Sequence, residues 1–178
     1  MILHVPLNIF CYNRIMKTIS KGFQEGIISK GIWTITVRDP LGNIVSQKTI
    51  ENIVVTAGRN QIAKALAVEL VAISDIEISH QELGTGTTTP AVGDTGLETP
   101  TGGTRKAITS TASSGKQLNI TAFWAAGEAT GTHEEYGTFI NGTGVSNSGV
   151  LLNRVLLSSV VVLAANSLTV DGTINFNI

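Results

Sequence analysis

The chain has 178 residues and a formal net charge of −1, with 42% hydrophobic residues and only 14% charged ones. That hydrophobic share excludes a disordered chain, and the absence of a basic patch or aromatic–basic interleaving speaks against nucleic acid. The densest basic pair, Arg105-Lys106, is too small for an electrostatic footprint.

The length suits one domain, with an arm in front of it. An average domain is roughly 25% charged. Low charge with abundant Thr, Ser, Asn and Gly fits two readings: a surface covered by other subunits, or a β-rich body whose outward positions are hydroxyls. The lone Cys11 excludes an internal disulfide framework and fits assembly inside a cell. No stretch approaches the roughly 18 apolar residues of a spanning helix, so no membrane partner is expected.

Met1 to Phe10 is apolar but lacks the charged start and cleavage site of a signal peptide. Met16-Lys17-Thr18 is a more ordinary beginning. Residues 1–30 therefore read as an arm or an upstream extension, and Leu3, Val5, Leu7, Ile9 and Phe10 as candidate interface residues. Residues 31–178 read as the domain.

Ile32 to Arg38 alternates, with Trp33, Ile35 and Val37 on one face, which predicts a half-buried strand. Asp39-Pro40-Leu41-Gly42 has the residues of a type I turn. Asn43 to Ile50 then predicts the returning strand of a hairpin, and Glu51 to Val55 a continuation of the sheet after a bend. Thr56 is placed to cap a helix near 58–72, where Ile62, Leu66 and Leu70 make a narrow apolar stripe. So narrow a stripe predicts a helix lying on a sheet.

Beyond it the pattern is β. Strands are predicted over Ile76–Leu83 and Glu134–Ile140. Thr104–Ser110 and Lys116–Trp124 read as a hairpin through Ser113-Ser114-Gly115. Val150–Val162 reads as one long or bent strand, and Ser167–Ile178 as a strongly alternating final one. About eight regularly spaced strands and one helix predict a mainly β fold: an antiparallel, jelly-roll-like β-sandwich with one short α-helix packed on it.

Between the strands lies Leu83-Gly84-Thr85-Gly86-Thr87-Thr88-Thr89-Pro90, continuing to Asp94-Thr95-Gly96-Leu97, with the composition of a surface spacer. Gly84-Thr85-Gly86 lacks the Lys and the following helix of a phosphate loop. His133-Glu134-Glu135 lacks the second His of a zincin helix, and His4, His80 and His133 are scattered. No Gly-x-Ser-x-Gly elbow is present. Asp94, Glu128, Glu134 and Glu135 are glycosidase carboxylates by residue type alone. The expectation is that the chain is not an enzyme, with no catalytic residues, cofactor or metal.

Within Glu134-Glu135-Tyr136-Gly137, a glycine inside a strand marks a bulge or a close backbone approach. Tyr136 and Phe139 have opposite parity. Two readings follow: one ring is core and the other an interface anchor, or both are packed within the subunit.

Several segments taken in order carry a resemblance: Val55-Thr56-Ala57-Gly58-Arg59-Asn60 before an Ala-rich helix, Leu83 to Ala91 running on to Asp94-Thr95-Gly96-Leu97-Glu98, then Glu128 to Phe139 and Gly149 to Val155. Over roughly residues 50–178 this order resembles small virion structural proteins of tailed bacteriophages, of the head-surface or tail-fibre-associated kind. The motifs are structural, so no catalytic or binding residue is carried over.

The resemblance implies a non-enzymatic building block of the virion, assembled in the host cytoplasm. Its partners would be major capsid or tail proteins and other copies of itself, for instance in a trimer. A stand-alone domain without a fibre shaft favours a capsid decoration or cement protein. A tail, collar or tail-fibre adaptor is the alternative, with a carbohydrate-binding domain behind both. An apolar arm could add a strand to a neighbour's sheet.

Overall fold

A computed structural model describes residues 28–67, 72 and 75–176. Candidate interface residues Leu3, Val5, Leu7, Ile9 and Phe10 lie outside the described residues, as do most of the expected helix beyond Ala67 and the last two positions of the final strand.

The described elements are β1 (Ile28–Arg38), β2 (Ile44–Val54), α1 (Thr56–Leu66), β3 (Ile78–Gly84), β4 (Lys106–Ala107), β5 (Ser110–Ser114), β6 (Gln117–Trp124), β7 (Gly131–Ile140), β8 (Val150–Val162) and β9 (Ser167–Phe176). The fold is mainly antiparallel β with one short helix. All the strands join one nine-stranded sheet, in the order β4-β3-β7-β8-β2-β1-β9-β6-β5, which curls into a half-barrel.

The curl follows from one weak joint. β1 pairs along its length with β2 and β9, and β7 pairs along most of its length with β8. Only Ile53–Arg154 and Val54–Asn153 join β2 to β8. The two halves turn about this joint and face each other across the core. Trp33 of β1 meets Tyr136 of β7 there, with ring centroids 5.2 Å apart. Both rings are fully buried. The inward residues of the final strand, Leu168, Val170 and Ile174, join the same core, as their alternation predicts.

Gly172, also on that strand, lies beneath the Trp33 ring, and a Cβ there would collide with its six-membered edge. The glycine is thus required by packing, not by backbone conformation.

The hairpin turn forms as its residues predict. Gly42 N–H donates to Asp39 O (3.0 Å), while the Asp39 carboxylate accepts from Leu41 N, Asn43 N and Asn43 Nδ2. β2 runs as one strand through Val54, and its last two residues, Ile53 and Val54, change partner from β1 to β8. Thr56 is the first helical residue, not the cap. Val55 holds the cap position with no side-chain cap, and Thr56 N–H donates to Val92 O (2.8 Å).

The expected hairpin at 104–124 is divided. β4 pairs with β3, whereas β5 pairs with β6, and Ser114 faces Gln117 across a turn at Gly115-Lys116. The chain crosses between the two ends of the sheet at Ile108 and Thr109. Ile108 N–H donates to Ser79 O, and Thr109 N–H to Thr121 O.

β8 is bent, and the bend has a chemical basis. Leu157, Ser158 and Ser159 together oppose the single residue Glu134, and Ser158 and Ser159 have φ of 50° and 65°. Glu134 accepts from Ser159 N (2.8 Å) and Ser159 Oγ (2.7 Å). Lys48 Nζ reaches across from β2 to the carbonyls of Leu157 (3.0 Å), Ser158 and Ser159. An inward-pointing lysine on an exposed strand also discourages pairing with another chain.

Candidate functional site

The buried ion pairs of the described residues gather on the outer face of β3, β7 and β8. Two loops roof that face: residues 85–105 between β3 and β4, and residues 141–149 between β7 and β8. Alternation sends Tyr136 inward and Glu135 outward from neighbouring positions on β7. Glu135 is fully buried under the first loop.

Four donors satisfy the Glu135 carboxylate. Oε1 accepts from Gly86 N (3.0 Å) and Thr99 N (2.7 Å), and Oε2 from Glu98 N (3.0 Å) and Arg154 Nε (2.6 Å). A Cβ at Gly86 would lie 2.5 Å from Oε1, so a residue without a side chain is needed there. One backbone amide of the Gly84-Thr85-Gly86 segment, that of Gly86, thus does bind an anion, and that anion is the protein's own carboxylate.

Arg154, on β8, is only 3% exposed and gathers the rest of the loop. Its Nη1 donates to Asp94 Oδ2 (3.0 Å), and its Nη2 to Thr88 O (3.1 Å) and, more distantly, to Glu98 Oε2 (3.4 Å). Burial alone would lower the guanidinium's pKa; the hydrogen bonds and charges of Glu135 and Asp94 outweigh it and raise the value. Hydrogen bonds from the Thr88 backbone and hydroxyl hold Glu98 below its ordinary value. A buried charge is tolerated only when paired and hydrogen-bonded, and both charges here are.

A second clamp lies beside the first. Arg105 donates to Glu82 (2.8 Å), Thr143 O (2.6 Å) and Ser148 O (2.5 Å), with its guanidinium carbon 4.2 Å from the centre of the Phe139 ring. Glu82 is 1% exposed and also accepts from Asn147 N and Ser146 Oγ. Asn147 joins the two loops, accepting from Leu97 N (2.8 Å) and donating to Leu97 O (3.1 Å). Leu97 packs with Val55, Phe139 and Leu151 in a small apolar cluster under the roof.

These contacts correct two expectations. Segment 83–97 is not a plain spacer, because buried charges moor it. Tyr136 and Phe139 are not interface anchors: each is 0% exposed. Their opposite parity does put them on opposite faces, Tyr136 in the main core and Phe139 under the roof. The roof buries the outer face of β7, so both rings pack within the subunit. Gly137 allows the expected close approach, since a Cβ there would stand 2.8 Å from Leu97 Cδ2.

Of the four carboxylates singled out by type, Asp94 and Glu135 meet on one guanidinium. Glu134 serves the β8 bend, and Glu128 pairs with Lys106 (2.6 Å) at the surface. His133 is buried and donates from Nε2 to Ala129 O (2.9 Å). Among the described residues no three His, Cys, Asp or Glu side chains form a group that could hold a metal ion, and no helix is long and apolar enough to cross a membrane.

Sequence reasoning missed Arg154, Glu82, Arg105 and Asn147. Arg154 carried a usable signal. It interrupts the apolar run Val150 to Leu157, and a charge inside a buried strand is rare unless paired. No protein-family profile, curated protein or solved structure matches the chain.

Proposed function

We propose that this chain is a non-enzymatic structural protein of a tailed-phage virion, attached in many copies to the head surface as a decoration or cement protein. The reading starts from the resemblance of residues 50–178 to small virion proteins. In it, the facing halves of the curled sheet do the work of a jelly-roll-like sandwich.

The observation that supports it best is the use made of the buried charges. Arg154, Glu135, Arg105 and Glu82 pair beneath two loops and hold them against the outer face of the sheet instead of meeting across a cleft. What they leave outside is a moored, hydroxyl-rich plate that includes Thr85, Thr87, Thr88 and Thr89. A plate of fixed shape suits contacts repeated by symmetry, each weak, whose sum by avidity gives firm attachment.

The test is to add purified chain to particles lacking it and to count bound copies. Hundreds per particle support head decoration. A saturating number of about six to eighteen reassigns the chain to a tail, collar or fibre adaptor, because such parts follow low-order symmetry. Failure to bind particles, together with specific glycan binding by the isolated chain, overturns both readings.

A further inference from the structure

The outer face of the sheet pairs its buried charges; the inner face leaves neutral polar groups without partners. Rows of residues across β3, β7 and β8 alternate between the two faces. Glu82, Gly137 and Arg154 make an outer row, and Leu83, Tyr136 and Val155 an inner row within the core. Gln81, Thr138 and Asn153 make the next inner row, and all three are 0% exposed. The Thr138 hydroxyl bonds that of Tyr136 (2.9 Å). Both polar atoms of the Gln81 amide, and both of the Asn153 amide, have no hydrogen-bond partner among the described residues.

β1 and β2 add two more buried donors of the same kind, Trp33 Nε1 and Asn52 Nδ2. These two side chains lie together inside the half-barrel. A Cβ at Gly31, which shares the inward parity of Trp33, would stand 2.5 Å from Asn52 Oδ1 and 3.1 Å from Trp33 Nε1. Buried polar groups are nearly always hydrogen-bonded, so a collar of them without partners points to a ligand.

Register sets this collar against an apolar cavity of about 410 Å³. At its rim Leu66 and Ile76 are 72% and 41% exposed, whereas Ile140, Leu152 and Ile174, which also line it, are buried. The buried three adjoin the collar. Ile140 lies two residues beyond Thr138, Leu152 directly precedes Asn153, and Ile174 and Asn52 flank Gly31 in one row. Small-molecule sites combine apolar walls with a few converging polar groups in cavities of roughly 300–1,000 Å³.

The collar also restricts what can bind. It carries no charge, so an ionised group would be buried there unpaired. The one ionisable residue lining the cavity, Glu77, is exposed and would repel an anion. The unpartnered collar atoms are four donor nitrogens and two acceptor oxygens. Exchanging nitrogen and oxygen in either terminal amide leaves that balance unchanged. Donors in excess call for an acceptor on the ligand. We propose that the interior of the half-barrel binds an uncharged amphiphile, an alkyl chain with a carbonyl group near one end. The chain occupies the cavity, and the carbonyl oxygen accepts from the collar. This inference is independent of the virion reading, and neither test decides the other.

The probe is 2-octanone labelled with carbon-13 at the carbonyl, titrated into the full-length chain. Saturable binding is expected, with shifts in the NMR signals of the Trp33 indole N–H and the Gln81 and Asn153 side-chain amides. The infrared carbonyl stretch of the bound ketone should lie below its value in an alkane solvent, as for a hydrogen-bonded carbonyl. Octanoate at neutral pH should bind about tenfold or more weakly, because its charge would be unpaired. Asn153→Leu keeps the volume, removes the amide and should weaken 2-octanone about threefold to tenfold. The other measurements need no variant and decide the matter even if Asn153→Leu does not fold. An alkane-like stretch in the bound state overturns the role of the collar, and so does unchanged affinity in folded Asn153→Leu. Octanoate binding as tightly as the ketone overturns the preference for an uncharged group. No saturable binding of 2-octanone overturns the site outright.

Discussion

Over β7 and β8 the outer face is roofed by two loops, and the side chains beneath include Glu135 and Phe139, each 0% exposed, and Arg154 at 3%. Over β1, β9 and β6 the outer face is bare. Ile32 and Phe123 stand 40% and 42% exposed there, among cross-strand polar pairs such as Thr34–Thr49 and Thr121–Asp171. One sheet thus carries two outer surfaces, and they use polar chemistry differently. On the bare half, short polar side chains link neighbouring strands in contact with water. On the roofed half, full charges are taken out of water and must be completely paired. The first arrangement is locally forgiving; the second fails if one member is lost.

The largest effects should come from what the halves share. Trp33→Ala removes the ring that spans the core and should cost about 3–5 kcal/mol in denaturant unfolding. Gly172→Ala places a methyl group against that ring and should cost about 1–3 kcal/mol, although alanine suits a strand better than glycine. If Gly172→Ala leaves stability unchanged, Trp33 does not lie over that strand.

Breaking the roofed half comes next. Arg154→Ala leaves the Glu135 carboxylate buried and unpaired, which typically costs about 3–5 kcal/mol. Combining it with Glu135→Gln should recover part of that loss, and a double-mutant cycle reads the coupling. Additive losses would show that the two charges do not meet. On the surface, Lys106→Ala removes a half-exposed pair with Glu128 and should cost about 0.2–1 kcal/mol, less at high salt.

Acid and alkali sharpen the contrast further. Hydrogen bonds from Thr88 lower the Glu98 pKa, those from Lys106 and Ala125 lower the Glu128 pKa, and those from Asn43 lower the Asp39 pKa. A depressed carboxylate contributes stability above its unfolded value and loses it as pH falls through the folded one. Stability should therefore decline as pH drops below the ordinary values of 4.5 for Glu and 3.8 for Asp. Tyr136 behaves oppositely. Burial raises its pKa well above 10.0, so its contribution is intact below pH 10.0 and is lost above it. Melting midpoints across pH read both limbs.

The bare half was legible in the sequence because its information is local. Trp33, Ile35 and Val37 alternate along one strand, and Leu168 to Ile174 along another. Each pattern reports its own burial without reference to distant residues. The turn at Asp39-Pro40-Leu41-Gly42 was legible for the same reason.

The roofed half was not. Glu135 and Arg154 are separated by 19 residues, and Arg154 and Asp94 by 60. Nothing local to Asp94 says which cation it meets. Parity alone could not decide that Phe139 is buried, because burial on the outer face depends on Leu97 and Arg105 arriving from elsewhere. The division of segment 104–114 between β3 and β6 escaped for a related reason. Both pairings suit the same residues, and the partners that select where each begins, β3 and β6, come from distant parts of the chain.

The central structural claim is that buried charge, not local turn chemistry, fixes the loop over β7 and β8. Hydrogen exchange at the amides of Gly86, Glu98 and Thr99, all donors to Glu135, tests it most directly. The account predicts protection close to that of β7 itself, lost selectively in Glu135→Gln while β1 and β9 stay protected. Free exchange of these amides in the unaltered protein would contradict it.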